Sequence, residues 1–370
     1  MTRDSKTAPV LGKNRLPYID LLECIALFFM LMYHCTLYSA HITPDSLPVH
    51  YVNYFCSTIQ ATCVPLFFFV NGYLLFGKPL NLSRHTKKIL RLALVSAFWI
   101  LALLIILQPL QGEFFTWEQL KKEFWSLKMG WNNHLWFMGT LVGLYVFFPL
   151  LKTVYDSNKT VFLWFTAVSF VLVYGNSLLN VFLTVFNYVV MHQVVIYQSH
   201  NFFHIFNPYA GTMLGFPMVC FCTGGIVYHY RERIAAIPAK RRNLAASVGL
   251  VLSCGLLFCQ GVGYSILAKF TWDAVWFGLD TIFTFINVLC LYLLSLNWKW
   301  DIPVIRMVSL NTLGIYLLHD AVMKIVGPYF SAIPQMHTVP GTALYALTVL
   351  SVCLIVCLVV KRIPVLKHLL

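Results

Sequence analysis

The chain has 370 residues, of which 59% are hydrophobic and only 11% charged, with a mean hydropathy of +0.74. Soluble domains carry about 25% charged residues, so this composition excludes a soluble globular protein and defines an integral membrane protein. The net charge of +13 does not point to nucleic acid. The basic residues lie in short connections between apolar runs, where they serve as topology signals and contacts to lipid phosphates, and no hydrophilic region is large enough for a nucleic-acid module.

Ten stretches are apolar enough to cross a bilayer: 18–38, 51–76, 89–110, 135–151, 161–183, 208–230, 244–268, 274–296, 304–327 and 341–361. A hydrocarbon core of ~30 Å needs ~20 such residues as a helix; the fourth stretch is short. Backbone groups in lipid must bond within their own segment, so each stretch is predicted to be helical. The expected fold is all-α, a polytopic membrane protein with about ten transmembrane helices. Residues 1–17 form a cytoplasmic N-terminal segment, 18–361 the transmembrane domain and 362–370 a cytoplasmic tail. The first apolar run is longer than a signal-peptide core and contains acids, so it reads as a retained helix.

The basic residues check this count. With ten spans, 21 of the 26 lysines and arginines fall on one side, including Arg15, Lys78, Lys152, Arg231, Arg242, Lys299 and Lys361. Only Lys121, Lys122, Lys128 and Lys269 fall on the other, and Lys324 lies inside the ninth span. The positive-inside rule then puts both termini in the cytoplasm. The eleven cysteines form no CxxC pair and no zinc-like cluster with histidine, so they read as small packing residues and no metal site is expected. A disulfide between Cys35 and Cys56, near the outer surface, is the less favoured alternative.

In chain order, the first helix carries Asp20, Glu23 and His34. At ~100° per residue all three share one face, with about 16 Å of rise between Glu23 and His34. Ionisable groups inside a membrane face a protein interior or a watery cavity. This helix therefore lines a polar path from the inner side toward the outer, or uses its polar stripe for interhelical contacts. A histidine that exchanges a proton near neutral pH suits general-base activation of a hydroxyl, a role open to His34. The second span brings Asn71, a donor to a ligand oxygen or a packing residue, beside Gly72, which permits close helix approach. After it, Arg84, Lys88 and Arg91 face cytoplasmic phosphates; Lys88 and Arg91 share a helix face at i, i+3. They hold the phosphates of a nucleotide-containing donor, or simply supply inside positive charge.

The outer loop 111–133 mixes Glu113, Glu118 and Glu123 with lysines and aromatics, in the pattern of an interfacial helix. Asn132, Asn133, His134 and Trp136 follow at the outer end of the fourth span, where His134 would meet His34 at similar depth and Trp136 would bind a sugar or belong to the interfacial aromatic belt. The loop 184–207 carries His192, His200 and His204 among aromatics, as an acceptor lid or an aromatic belt. Asp280 and Asn287, seven apart, are expected on one helix face. The ninth span adds Tyr316, His319 and an i, i+4 pair, Asp320 and Lys324, that neutralise each other.

Four segments in this order, YIDLLECIALFFMLMYH, VPLFFFVNGYLLF, HLWFMGTLVGLYVFFPLL and LGIYLLHD, resemble the acyltransferase-3 family of integral-membrane O-acyltransferases. The resemblance runs from about residue 15 to 361. It implies transfer of an acyl group, commonly acetyl, from cytoplasmic acetyl-CoA to a hydroxyl of a cell-envelope carbohydrate. Membrane lipids, acyl-CoA and that carbohydrate are then the partners, and the cell membrane the location. His34 matches the family's catalytic histidine, with Glu23 and His134 as further catalytic candidates. Lys88 and Arg91 resemble an arginine pair linked to the donor, with Arg84 nearby. Asn71, Trp136, Tyr316 and His319 are the substrate-binding candidates. Two departures stand out: Glu23 occupies a position that is often Arg, reversing the charge, and Asn71 replaces a common Ser. The alternative is a polysaccharide or glycolipid exporter of the same family, which a polar stripe along the first helix also suits.

Overall fold

The structure, a computed structural model, describes residues 15–37, 41–42, 47–110, 116–118, 121, 133–197, 200–208, 215–268 and 272–364. Each apolar stretch contains helix among the described residues. The helices are α1 Pro17–His34, α2 Pro48–Thr58, α3 Cys63–Phe76, α4 Leu82–Leu110, α5 Trp136–Ser157, α6 Lys159–Phe170, α7 Asn176–Val189, α8 Phe216–Ala236, α9 Ala239–Ala268, α10 Ile282–Ser295, α11 Pro303–Ser309, α12 Thr312–Ser331 and α13 Val339–Val360. Six spans among the described residues are long and apolar enough to cross a membrane, namely Pro17–His34, Pro48–Phe76, Trp136–Ser157, Lys159–Val189, Ala239–Leu267 and Val339–Val360. This is an all-α, multi-pass membrane protein. The interfacial helix expected in 111–133 lies outside the described residues except for 116–118, 121 and 133; Lys121 pairs with Glu118 at 2.8 Å. Residues 1–14 and 365–370 of the expected tails also lie outside them.

Helix starts follow local chemistry. Pro17, Pro48 and Pro303 open α1, α2 and α11, where the missing N–H costs nothing and the fixed φ suits the first turn. Asn158, Thr281 and Thr338 cap α6, α10 and α13 by accepting from the backbone N–H three residues on. Three expected spans differ in detail. The second is two helices, α2 and α3, joined by a 3-10 turn at Ile59–Thr62. The eighth begins only at Ile282, so Asp280 lies in the preceding turn and is exposed, not on a helical face with Asn287. Asn287 instead is buried and bonds Ser253 and Cys254 of α9. The ninth breaks at Leu310–Asn311 into α11 and α12. The expected loop from 184 starts later, because α7 runs to Val189 after a π-helical turn at Val171–Gly175. His200 then docks back through its backbone onto Asn180 and Asn176.

At the centre, α1 packs on α3, α10, α11, α12 and α13, which makes it the hub of the bundle. The most extensive helix pair is α3 with α8. Its closeness depends on small residues: a Cβ on Gly72 would strike the Phe221 carbonyl, and one on Gly224 the Phe69 carbonyl. Without a hydrophobic drive between helices in lipid, such backbone approach supplies the packing. The aromatic core formed by Phe76, Phe148, Tyr155, Phe162 and Phe221 surrounds this contact. All eleven cysteines are free thiols, Cys35 and Cys56 included. A two-residue pairing of His41–Ile42 with Trp272–Asp273 is the strand pair among the described residues.

Gly72→Ala is expected to overpack the α3–α8 contact at a cost of about 1–3 kcal/mol, seen as a lower melting temperature in detergent. Gly255→Ala, which meets nothing within 4 Å, is expected to melt at or above wild type. Equal melting of both variants would refute the close-approach account.

Candidate functional site

Three histidines from three helices meet near the end of α1. His34 is the last residue of α1, His319 lies in the middle of α12, and His134 sits in the 3-10 turn, Asn133–Leu135, that opens α5. The ring centroids of His34 and His319 are 5.1 Å apart, and those of His134 and His319 are 5.0 Å apart. His319 is therefore the middle ring. It is fully buried and His134 nearly so, whereas His34 is exposed.

Bonds to the backbone orient the cluster. His319 Nδ1 lies 2.5 Å from the Tyr316 carbonyl oxygen, one helical turn back. A carbonyl only accepts, so Nδ1 carries the proton and Nε2 keeps its lone pair. That Nε2 has no hydrogen-bond partner among the described residues, nor has His134 Nε2. Tyr316 ties the group together by donating its hydroxyl to the His134 carbonyl. Neighbouring Asp320 is engaged by Lys324 at 2.7 Å, as the i, i+4 spacing predicts. Above the cluster, Tyr33 donates to Asp273 at 2.8 Å. Asp273 also caps the backbone of Val275 and Trp276 at 2.8 and 2.9 Å, fastening the 272–281 turn to the end of α1. Trp136, at the start of α5, packs edge-on against Trp276 with centroids 6.4 Å apart.

A cavity of about 260 Å³ lies alongside, lined by Glu23, Asn71, Lys88, Tyr145, Ser309 and Tyr316 among others. It joins the depth of Glu23 to the residue that packs on the histidines. Asn71 is doubly committed, donating to the Phe67 carbonyl at 2.9 Å and accepting from Tyr145 at 2.7 Å. Lys88 donates to the same Tyr145 hydroxyl at 3.2 Å and lies 4.6 Å from its ring centroid. Arg91, one turn on, is exposed, as is Arg84 near the start of α4.

Tyr145 is held by a consequence of Pro149. Proline has no N–H and so leaves the carbonyl four residues earlier, that of Tyr145, without its helical partner. His85 of α4 supplies the missing donor through Nε2 at 2.7 Å. The proline in α5 thus docks α4 and sets Tyr145 between Asn71 and Lys88.

Glu23 stands apart from the histidines. Sharing a face of α1 with His34 does not give the two a shared depth, because eleven residues rise about 16 Å. The break between α11 and α12 brings Ser309 to it instead. Ser309 Oγ is 2.5 Å from Glu23 Oε2 and 2.9 Å from Asp20 Oδ1. Arg15 completes the group, with both Asp20 oxygens and Ser309 as acceptors. Glu23 and Lys88 line one cavity, and Asp20 has its own guanidinium.

Sequence reasoning named His34, His134, Lys88, Asn71 and Tyr316 but did not join His319 to His34. It missed Ser309, His85 and Tyr145. Pro149 was the available signal for His85, since a proline inside an apolar helix announces an orphaned carbonyl. Among the described residues, no group of three or more His, Cys, Asp or Glu side chains is arranged to hold a metal ion.

Taken together, the bundle is a multi-pass membrane protein with a histidine cluster set beside an internal cavity. The family model for the acyltransferase domain, acyltransferase-3, matches residues 16–361, nearly the whole chain, and the chain belongs to that family. It is a membrane acyltransferase. Neither a curated protein nor a solved structure was found to match it.

His85→Ala is expected to cost about 1–3 kcal/mol, the usual result of stranding a buried acceptor. Most of that loss should vanish when Pro149→Ala restores the helical N–H. Melting of the two single variants and the double variant in detergent measures the coupling. Additive losses would show that the His85 bond does not answer Pro149.

Proposed function

We propose that the protein is an O-acetyltransferase of the cell membrane that moves acetyl from cytoplasmic acetyl-CoA to a hydroxyl of a cell-envelope carbohydrate. In this reading ten helices span the bilayer and both termini are cytoplasmic. The observation that carries it is the cavity with Lys88 in its wall and Tyr316, packed on the three histidines, also in its wall. At about 260 Å³ it is smaller than the ~300–1,000 Å³ of sites that enclose a drug-sized ligand. It suits the narrow acyl-bearing arm of the donor, with the phosphates outside near Lys88, Arg91 and Arg84.

The chemistry follows from the ring positions. His34 is the exposed member and takes the proton of the acceptor hydroxyl. The hydroxyl oxygen attacks the thioester carbonyl, the carbon–sulfur bond breaks, and the thiolate leaves with the proton returned by His34. While His34 is protonated, its second N–H needs an acceptor. The free Nε2 lone pair of His319 is the adjacent one, and the Tyr316 carbonyl fixes the tautomer that offers it. His319 and His134 thus act as positioning residues for His34. Trp136 and Trp276 supply apolar ring faces on which a sugar can stack. A thioester is activated enough that this route requires no metal. Glu23, bonded to Ser309 in the cavity wall, replaces the often-found Arg without taking over phosphate binding.

Purified protein in nanodiscs, supplied with radiolabelled acetyl-CoA and a cell-envelope glycan extract, tests the reading. His34→Ala is expected to lower acetyl transfer by ~10²–10⁴-fold, the usual worth of a positioned acid–base group. His319→Ala should lower it by less and shift its pH profile, while Glu23→Gln should retain turnover. No donor turnover in wild type, beside an active family member, would sink the enzyme reading and favour glycan export.

A further inference from the structure

A second and larger cavity, of about 840 Å³, lies away from the histidines. The start of α1, the end of α8, the start of α9, the end of α10 and the turn after it enclose it. These segments belong to the side that the positive-inside pattern assigns to the cytoplasm. Its charged lining is Arg231, Arg242 and Lys299 against one acid, Glu232. Glu232 is exposed and meets Arg231 at 3.2 Å, so the cavity retains an excess of positive charge.

The buried donors are the telling feature. Arg242 is only 7% exposed. Its Nη2 donates to Asn297 at 2.8 Å, while its Nε has no hydrogen-bond partner among the described residues. Trp298 Nε1, in the same lining, has none either. Burying N–H groups without acceptors is unfavourable, and folded proteins rarely leave them so. Arg231 is held in place by its bond to the Tyr228 carbonyl at 2.8 Å and by the Tyr228 ring, 4.1 Å from the guanidinium carbon. The walls between these donors are aromatic, Tyr18 and Trp298 among them.

An acceptor-only, multiply charged group with an apolar or aromatic continuation complements that set. We propose that this cavity is a binding site for the phosphate group of an amphiphilic or nucleotide ligand. Arg242 Nε and Trp298 Nε1 would donate to its oxygens, and Arg231 and Lys299 would balance its charge. A carboxylate presents fewer oxygens and less charge than three cations can engage, and guanidinium groups match phosphate geometry. The same chemistry has two sources, a soluble nucleotide and the headgroup of an anionic phospholipid. The site is separate from the acyl cavity and stands whether or not acetyl transfer is the reaction.

Two arms distinguish the sources, both with the full chain. Adenosine 3′,5′-bisphosphate is titrated by equilibrium binding into protein in uncharged phosphatidylcholine nanodiscs. Phosphatidylglycerol retained from mixed phosphatidylcholine micelles is counted by native mass spectrometry. Saturable binding in the first arm assigns a soluble nucleotide, and selective retention in the second assigns a lipid. In either case Arg242→Gln should weaken binding at least tenfold, and Arg362→Gln, at an exposed cation outside this lining, should leave it unchanged. Because Arg242 also holds Asn297, the double variant Arg231→Gln/Lys299→Gln carries the test if Arg242→Gln does not fold. Binding of neither ligand, or binding indifferent to Arg231, Lys299 and Arg242, overturns the proposal.

Discussion

Polar groups placed among apolar helices must satisfy one another, since lipid supplies no partners. In this chain that constraint fixes the arrangement around α1. Asp20 and Glu23 enter the bundle on the central helix and need donors. Ser309 reaches both because the backbone breaks at Leu310–Asn311, exposing the end of α11 to α1. The break itself is secured by Lys361, which donates to the Leu310 carbonyl and to Asn311. Non-helical backbone at membrane depth is tolerated where protein buries it or where it lines a cavity. Here it does both, since Ser309 and Leu310 line the smaller cavity.

The same demand runs through the rest of the site. Pro149 frees the Tyr145 carbonyl, His85 answers it, and Tyr145 is thereby set between Asn71 and Lys88. The Tyr316 carbonyl fixes the protonation of His319, and the Tyr316 hydroxyl fixes His134. What remains unsatisfied is correspondingly informative. The Nε2 atoms of His319 and His134 face the histidine cluster, and Arg242 Nε and Trp298 Nε1 belong to the basic cavity.

Close backbone packing gives this network a rigid frame. Gly72 and Gly224 let α3 and α8 touch through their main chains, next to the residues on α3 that carry Asn71 into the cavity. Steric precision of that kind matters for proton transfer, where a small displacement of a ring removes the reacting geometry.

By itself the sequence determined the class of protein, the places where helices form and the local pairs. Hydropathy marks every helical stretch because lipid permits little else, and the Asp320–Lys324 bridge follows from i, i+4 spacing alone. The family membership rests on a match over residues 16–361, nearly the whole chain. Breaks in helices were not legible, since a window that averages hydropathy reads across Leu310–Asn311 and across the turn before Ile282. Angular position along α1 was legible, but which neighbour each residue meets was not. Glu23 and His34 share a face yet belong to different surroundings, one with Ser309 and the other with His319. The sequence set His134 at the depth of His34, but only the tertiary structure places His319 between them, about 185 positions beyond His134 in the chain. Periodicity describes one helix at a time, and the chemistry of this protein is assembled between helices.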